Sequence, residues 1–144
     1  MRRLFGVLIL GLFVSAGYVL QAQAPLTAAD YPAKMKAVAQ ANGELQKALK
    51  AGVAADAVAP AKTASAAFAD IENFWKAQKK DDAVKLAAQA RTGFADAAAA
   101  AAKGDAMAAQ MAAGNALATC KQCHGLYREG DAQTGFKFKA GAVN

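Results

Sequence analysis

The stretch DAMAAQMAAGNALATCKQCHGLYREG, residues 105–130, reads as one helix with its chemistry at the far end. Asp105 is a good N-cap, Met107, Met111, Leu117, Cys120 and His124 recur at helical spacing, and Gly130 supplies a stop. Alanine fills much of the rest; it has the best helix propensity and gives a pleated sheet little to pack with. The same pattern repeats upstream. Asp81 and Asp82 are placed to cap a helix carrying Val84, Ala87, Ala90, Phe94 and Ala97, which leads to Lys103-Gly104. Before it, a pattern beginning near Asp56 carries Ala64, Ala67, Phe68, Ile71, Phe74 and Trp75 into Lys79-Lys80. Pro60 is expected in its first turn, where a missing N–H costs little. The first helix opens at Thr27-Ala28-Ala29-Asp30, a capping box with Asp in place of Glu. It carries Met35, Val38, Asn42, Leu45 and Leu49 on one face and ends at Gly52.

Four helices of about twenty residues with connections of a few residues must run antiparallel to their sequence neighbours. The expected fold is therefore all-α, an antiparallel up-down-up-down four-helix bundle over residues 25–130. A chain of 144 residues suits one such domain. Residues 131–144 show glycines and no periodicity, which predicts a flexible C-terminal tail. An alanine-rich bundle also has a weakness, because a methyl group removes little apolar area from water. With only 8% aromatic residues, something else should fill the core, and a large apolar cofactor would do so.

Cys120-Lys121-Gln122-Cys123-His124 contains the only two cysteines and the only histidine of the chain. Cysteines at i and i+3 put both sulfurs on one helix face, where they can add to the two vinyl groups of a haem. The adjacent His124 then offers its imidazole to the iron as proximal ligand. A zinc site would need a carboxylate to complete it, since no other Cys or His exists. A thioredoxin-type pair belongs at a helix N-terminus after a strand, not late in a helix. A disulfide between i and i+3 closes too short a loop to gain much. The motif thus predicts one covalently bound haem c, held by the last helix.

Extended to Gly125-Leu126-Tyr127-Arg128, near the end of a four-helix chain, the motif resembles that of the class II cytochromes c, the family of cytochrome c prime and its low-spin relatives. The resemblance spans residues 27 to 130. It implies that His124 binds iron from one side while the first helix supplies the residue over the other. It also places Arg128, one turn after His124, near that ligand or a haem propionate, where a fixed cation offsets negative charge. An exposed arginine favoured by the helix dipole is the alternative reading of Arg128. Tyr127 is read as packing beside the haem.

In this family a position early in the first helix is either Met or an apolar residue, and here it is Met35. A bound thioether would make the iron low-spin, raise its potential and suit electron transfer. Methionine on an apolar face also serves as core packing, and so Met35 as an unbound pocket residue is the competing reading. Met107 and Met111 share the helix of His124 and cannot reach the other side of the ring, so both are expected in the core or at the haem edge. Phe68, Phe74, Trp75 and Phe94 are expected there too.

The function expected is that of an exported one-electron carrier with His124 and Met35 as axial ligands, working with redox partner proteins. The alternative is a five-coordinate cytochrome c prime that binds nitric oxide or carbon monoxide, with Met35 as a lid. No enzyme is expected, since neither a second histidine nor a distal acid/base pair is present for peroxidase-like turnover.

Residues 1–24 have a positive start at Arg2-Arg3, an apolar run from Leu4 and an Ala22-Gln23-Ala24 site, which together predict a secretory signal peptide. An uncleaved anchor is the alternative, because Leu4 to Leu20 is close to the ~17 residues that span a thin bilayer. Either sends the remainder across the membrane, in a bacterium to the periplasm, the side on which c-type attachment takes place. A membrane association is expected only if this segment stays. Without Arg2 and Arg3 the net charge falls from +6 to +4. The basic residues are scattered and lack stacking aromatics, which argues against nucleic acid as a partner. Both a monomer and a homodimer are compatible with the Ala- and Lys-rich surface of the first helix.

Overall fold

The computed structural model describes residues 24–131 and 133–143, so that the expected leader, apart from Ala24, lies outside the described residues. The fold is all-helical. Four helices, α1 (Tyr31–Lys50), α2 (Ala54–Ala77), α3 (Asp81–Ala102) and α4 (Ala106–Tyr127), pack against one another. Each is joined to the next by a three-residue turn. Lys34 at the start of α1 bridges to Asp70 late in α2 at 2.7 Å, and Tyr127 at the end of α4 donates to Asp82 at the start of α3. Sequence neighbours therefore run antiparallel. No helix among the described residues is long and apolar enough to cross a membrane.

Helix ends follow local chemistry, with some shifts from expectation. Asp30 N–H donates to Thr27 Oγ1, and Thr27 Oγ1 donates to Asp30 Oδ2, closing the turn that leads into α1; Asp30 itself makes no capping bond. Val53 is the N-cap of α2, which starts two residues before Asp56 and leaves Pro60 in the second turn rather than the first. There the Asp56 carbonyl has no N–H four residues on to accept from. Lys80 is the N-cap of α3, so Asp81 and Asp82 occupy its first turn, where the helix dipole favours carboxylates. Asp105 caps α4 as expected, accepting from the Ala108 N–H at 2.9 Å.

Trp75, Phe94, Leu45 and Ile71 are the largest fully buried side chains, and alanines make up most of the remaining core. Met107 and Met111 are not part of it: they are 76% and 65% exposed and line neither the core nor the cavity between α1 and α4, against the expectation of the core or the haem edge. The buried stripe of α4 is Ala109, Ala113 and Ala116. These small residues let α4 approach α3 closely, and a Cβ added to Gly93 would meet the Ala116 Cβ at 3.0 Å. Methionines on that stripe would hold the helices apart.

The C-terminal residues also differ from the expected loose tail. Arg128–Glu129 (β1) and Lys137–Phe138 (β2) pair antiparallel, with Arg128 opposite Phe138. Gly130 turns between them at φ +85°, where a Cβ would strike the Gly135 carbonyl oxygen. Phe138 lies with its ring centroid 4.9 Å from Tyr31 and 5.8 Å from both Phe74 and Trp75. Lys139 Nζ donates to the Gly125 carbonyl at 2.6 Å, Lys80 Nζ donates to that of Gly141 at 3.0 Å, and Ala142 is buried. A half-buried aromatic thus holds a segment that has no periodicity of its own. Phe138→Ala is expected to lower stability by about 2 kcal/mol, below the usual cost for a fully buried Phe. Urea denaturation and protease nicking within residues 131–143 check this; an unchanged nicking pattern would contradict the docked hairpin.

Candidate functional site

A closed bundle would pack α4 along α1, yet these two helices touch at few points, while α1 packs on α2 and α4 on α3. Between α1 and α4 lies a cavity of about 560 Å³. Met35, Val38 and Asn42 on α1 line one wall, and Leu117, Cys120, Cys123, His124 and Tyr127 on α4 line the other. Met35, Val38 and Asn42 are spaced by three and four residues, as are Leu117, Cys120, His124 and Tyr127 with Cys123 beside His124, which keeps each set on one helix face. Trp75 and Phe94 add to the lining from α2 and α3, and Arg128, Phe136, Lys137 and Phe138 from the C-terminal hairpin. The volume falls within the roughly 300–1,000 Å³ of cofactor and ligand pockets.

All five residues singled out in the sequence, Met35, Cys120, Cys123, His124 and Arg128, line this one cavity. Sequence reasoning missed the hairpin's contribution. It also missed Tyr31, which accepts a hydrogen bond from Trp75 Nε1 at 3.1 Å and whose phenol burial pushes well above its ordinary pKa. Tyr127 packs on Trp75 at 4.7 Å, and burial together with its hydrogen bond to Asp82 pushes its pKa up to about 12.

The lining is apolar with a cationic fringe. Lys36, Arg128 and Lys137 border the cavity, and among the described residues no Asp or Glu does. The Arg128 guanidinium sits 4.0 Å over the Phe136 ring, a cation–π contact that fixes its direction. Burial, and then the charge of Arg128, hold the His124 imidazole below its ordinary pKa, so it is neutral at pH 7 with a lone pair to offer. Asn42 Oδ1 is a buried acceptor with no partner. Among the described residues no three His, Cys, Asp or Glu side chains form a group that could hold a metal ion.

Cys120 and Cys123 are unpaired thiols, each pushed up to about 11, chiefly by burial. A rise of that size leaves about a hundredfold less thiolate at pH 8, and the thiolate is the nucleophile. The chain without a bound group is expected to alkylate about a hundredfold more slowly than free cysteine at pH 8, recovering on denaturation. Timed iodoacetamide labelling read by mass checks this; equal native and denatured rates would contradict thiol burial.

No family model, curated protein or solved structure matches the chain.

Proposed function

We propose that the protein is an exported monohaem c-type cytochrome of the class II kind, acting as a one-electron carrier. The observation that carries this reading is the separation of α1 from α4 by a cavity whose lining holds both cysteines, the histidine and Met35. The residues fit the group. Apolar and aromatic side chains suit a flat ring, the basic fringe suits anionic substituents, and the neutral imidazole and the thioether come from opposite walls. A cofactor here would also supply the apolar area that the alanine core lacks.

Haem supplies a one-electron iron centre whose potential is set by its axial ligands and surroundings. Cys120 and Cys123 would each add S–H across a vinyl C=C, forming a thioether with no leaving group. His124 would offer its imidazole nitrogen to the iron, kept unprotonated first by burial and then by the charge of Arg128. Met35 is the proposed sixth ligand. Lys121, exposed beside the cysteines, would steer an acidic redox partner toward the haem edge. Such encounters bury little surface and last briefly.

The test is an absorption spectrum of the exported protein, ferric and ferrous, before and after carbon monoxide. A low-spin spectrum with a Met-to-iron band and little response to the gas supports the carrier. A high-spin spectrum that shifts promptly would replace it with gas binding, and a protein without haem absorption would overturn the proposal.

A further inference from the structure

The basic residues at the cavity come from separate parts of the chain. Lys36 projects from α1 one residue after Met35, whereas Arg128 and Lys137 stand on the two strands of the C-terminal hairpin. Among the described residues, Lys137 alone of the three is paired with a carboxylate, that of Glu129 at 3.5 Å across the strand pair, and both partners of that bridge are exposed. Exposed pairs of this kind are weak. The hairpin backbone is held: Phe138 is set in the Tyr31–Phe74–Trp75 cluster, Lys139 is bonded to Gly125, and Arg128 is fixed over Phe136. The cavity's positive charge is therefore presented from a fixed support, while Trp75, Phe94 and Leu117 line it with apolar surface.

We infer that Lys36, Arg128 and Lys137 form a carboxylate clamp that recognises the two carboxylates of a tetrapyrrole ring in the cavity. This rests on the haem reading and assigns the C-terminal hairpin its task. A porphyrin carries its two carboxylates on one edge and its two vinyl groups elsewhere on the ring. Holding the carboxylate edge at the hairpin and α1 restricts which part of the ring can meet Cys120 and Cys123. The clamp thus selects ring orientation before either sulfur adds, and it discriminates against rings whose carboxylates are esterified.

Trp75, the only tryptophan of the chain, lines the cavity, and its fluorescence reports ring entry directly. The full chain, purified without haem and verified as helical by circular dichroism, is titrated with metal-free protoporphyrin IX and with its dimethyl ester. The dicarboxylate is expected to bind about tenfold more tightly, an advantage that shrinks as salt rises. Lys36→Gln/Lys137→Gln should remove most of it, while Lys62→Gln/Lys103→Gln, the same charge change away from the cavity, should keep it. Equal binding of the two porphyrins overturns the clamp and leaves the haem reading standing. Quenching by neither, in a helical chain, overturns both. If the unloaded chain is not helical, the haem-bearing protein decides. Its reduction potential should fall in the Lys36→Gln/Lys137→Gln variant, because lost cations favour ferric iron, and stay unchanged in the control pair. Equal potentials in both variants overturn the clamp.

Discussion

A Cys120→Ala/Cys123→Ala chain is expected to be exported with no covalently attached tetrapyrrole, its mass that of the polypeptide alone. The single variants should be intermediate in a specific way. Each keeps one thioether and leaves one vinyl group conjugated to the ring, which moves the ferrous absorption bands to longer wavelength. That graded pattern separates the readings of the motif, since a disulfide would be lost equally in either single variant and the double. Stability should follow attachment. A ligand present at a thousand times its Kd stabilises the folded state by about 4 kcal/mol, and a tethered ligand acts at least as strongly. For a domain of this size the double variant should melt roughly 15 °C lower. Intact-protein mass, spectra and thermal melts of the three variants check this. A wild-type chain, exported where c-type attachment operates, that retained two free thiols and no added mass would end the assignment.

The helices were legible because apolar spacing runs through four long segments separated by short polar or glycine-containing breaks, even though Asp105 is the one expected cap that bonds as a cap. Their exact partners were less so. In α4, Met107 and Met111 lie four residues apart, and so do Ala109 and Ala113, which makes both stripes acceptable by periodicity. The close approach of α3 at Gly93 selects the alanine stripe, and that contact is non-local. Pro60 moved from first turn to second because Val53, which has no capping side chain, begins α2. The hairpin was illegible for a related reason. Two-residue strands leave no periodic trace, and Phe138 is held by Tyr31, Phe74 and Trp75, far away in sequence.

The candidate site divides along the same line. Cys120, Cys123 and His124 are local, one helix face specified by spacing alone. Met35 on α1 was reached through resemblance to a family, and the cavity places it with the α4 residues. Lys36 and Lys137 had no signal, being two among many scattered lysines. The weak α1–α4 packing gives the alanine-rich composition a structural meaning: α1 buries Val38, Ala41, Leu45 and Leu49, yet its first turns face the cavity. Tyr31 in the first of those turns packs on Phe74, Trp75 and Phe138, while Met35 lines the cavity.

Met35→Leu isolates the sulfur from everything else that Met35 does. Leucine preserves volume and apolarity, so the fold should lose less than about 1.5 kcal/mol. With a thioether bound to iron in the wild type, the variant should change from low-spin to high-spin, lose its Met-to-iron band and bind carbon monoxide promptly. Its reduction potential should fall by a sizeable part of the ~0.8 V range over which axial ligands act. Met107→Leu and Met111→Leu supply the controls, because both side chains are exposed on α4 and should leave every one of these readouts alone. A wild-type protein that already binds the gas, with a spectrum indifferent to Met35→Leu, would make Met35 a wall of the cavity and its open face a gas site. The two outcomes assign opposite functions to the same cavity, because a bound sulfur must leave before a gas can enter, whereas a leucine leaves the iron open from the start.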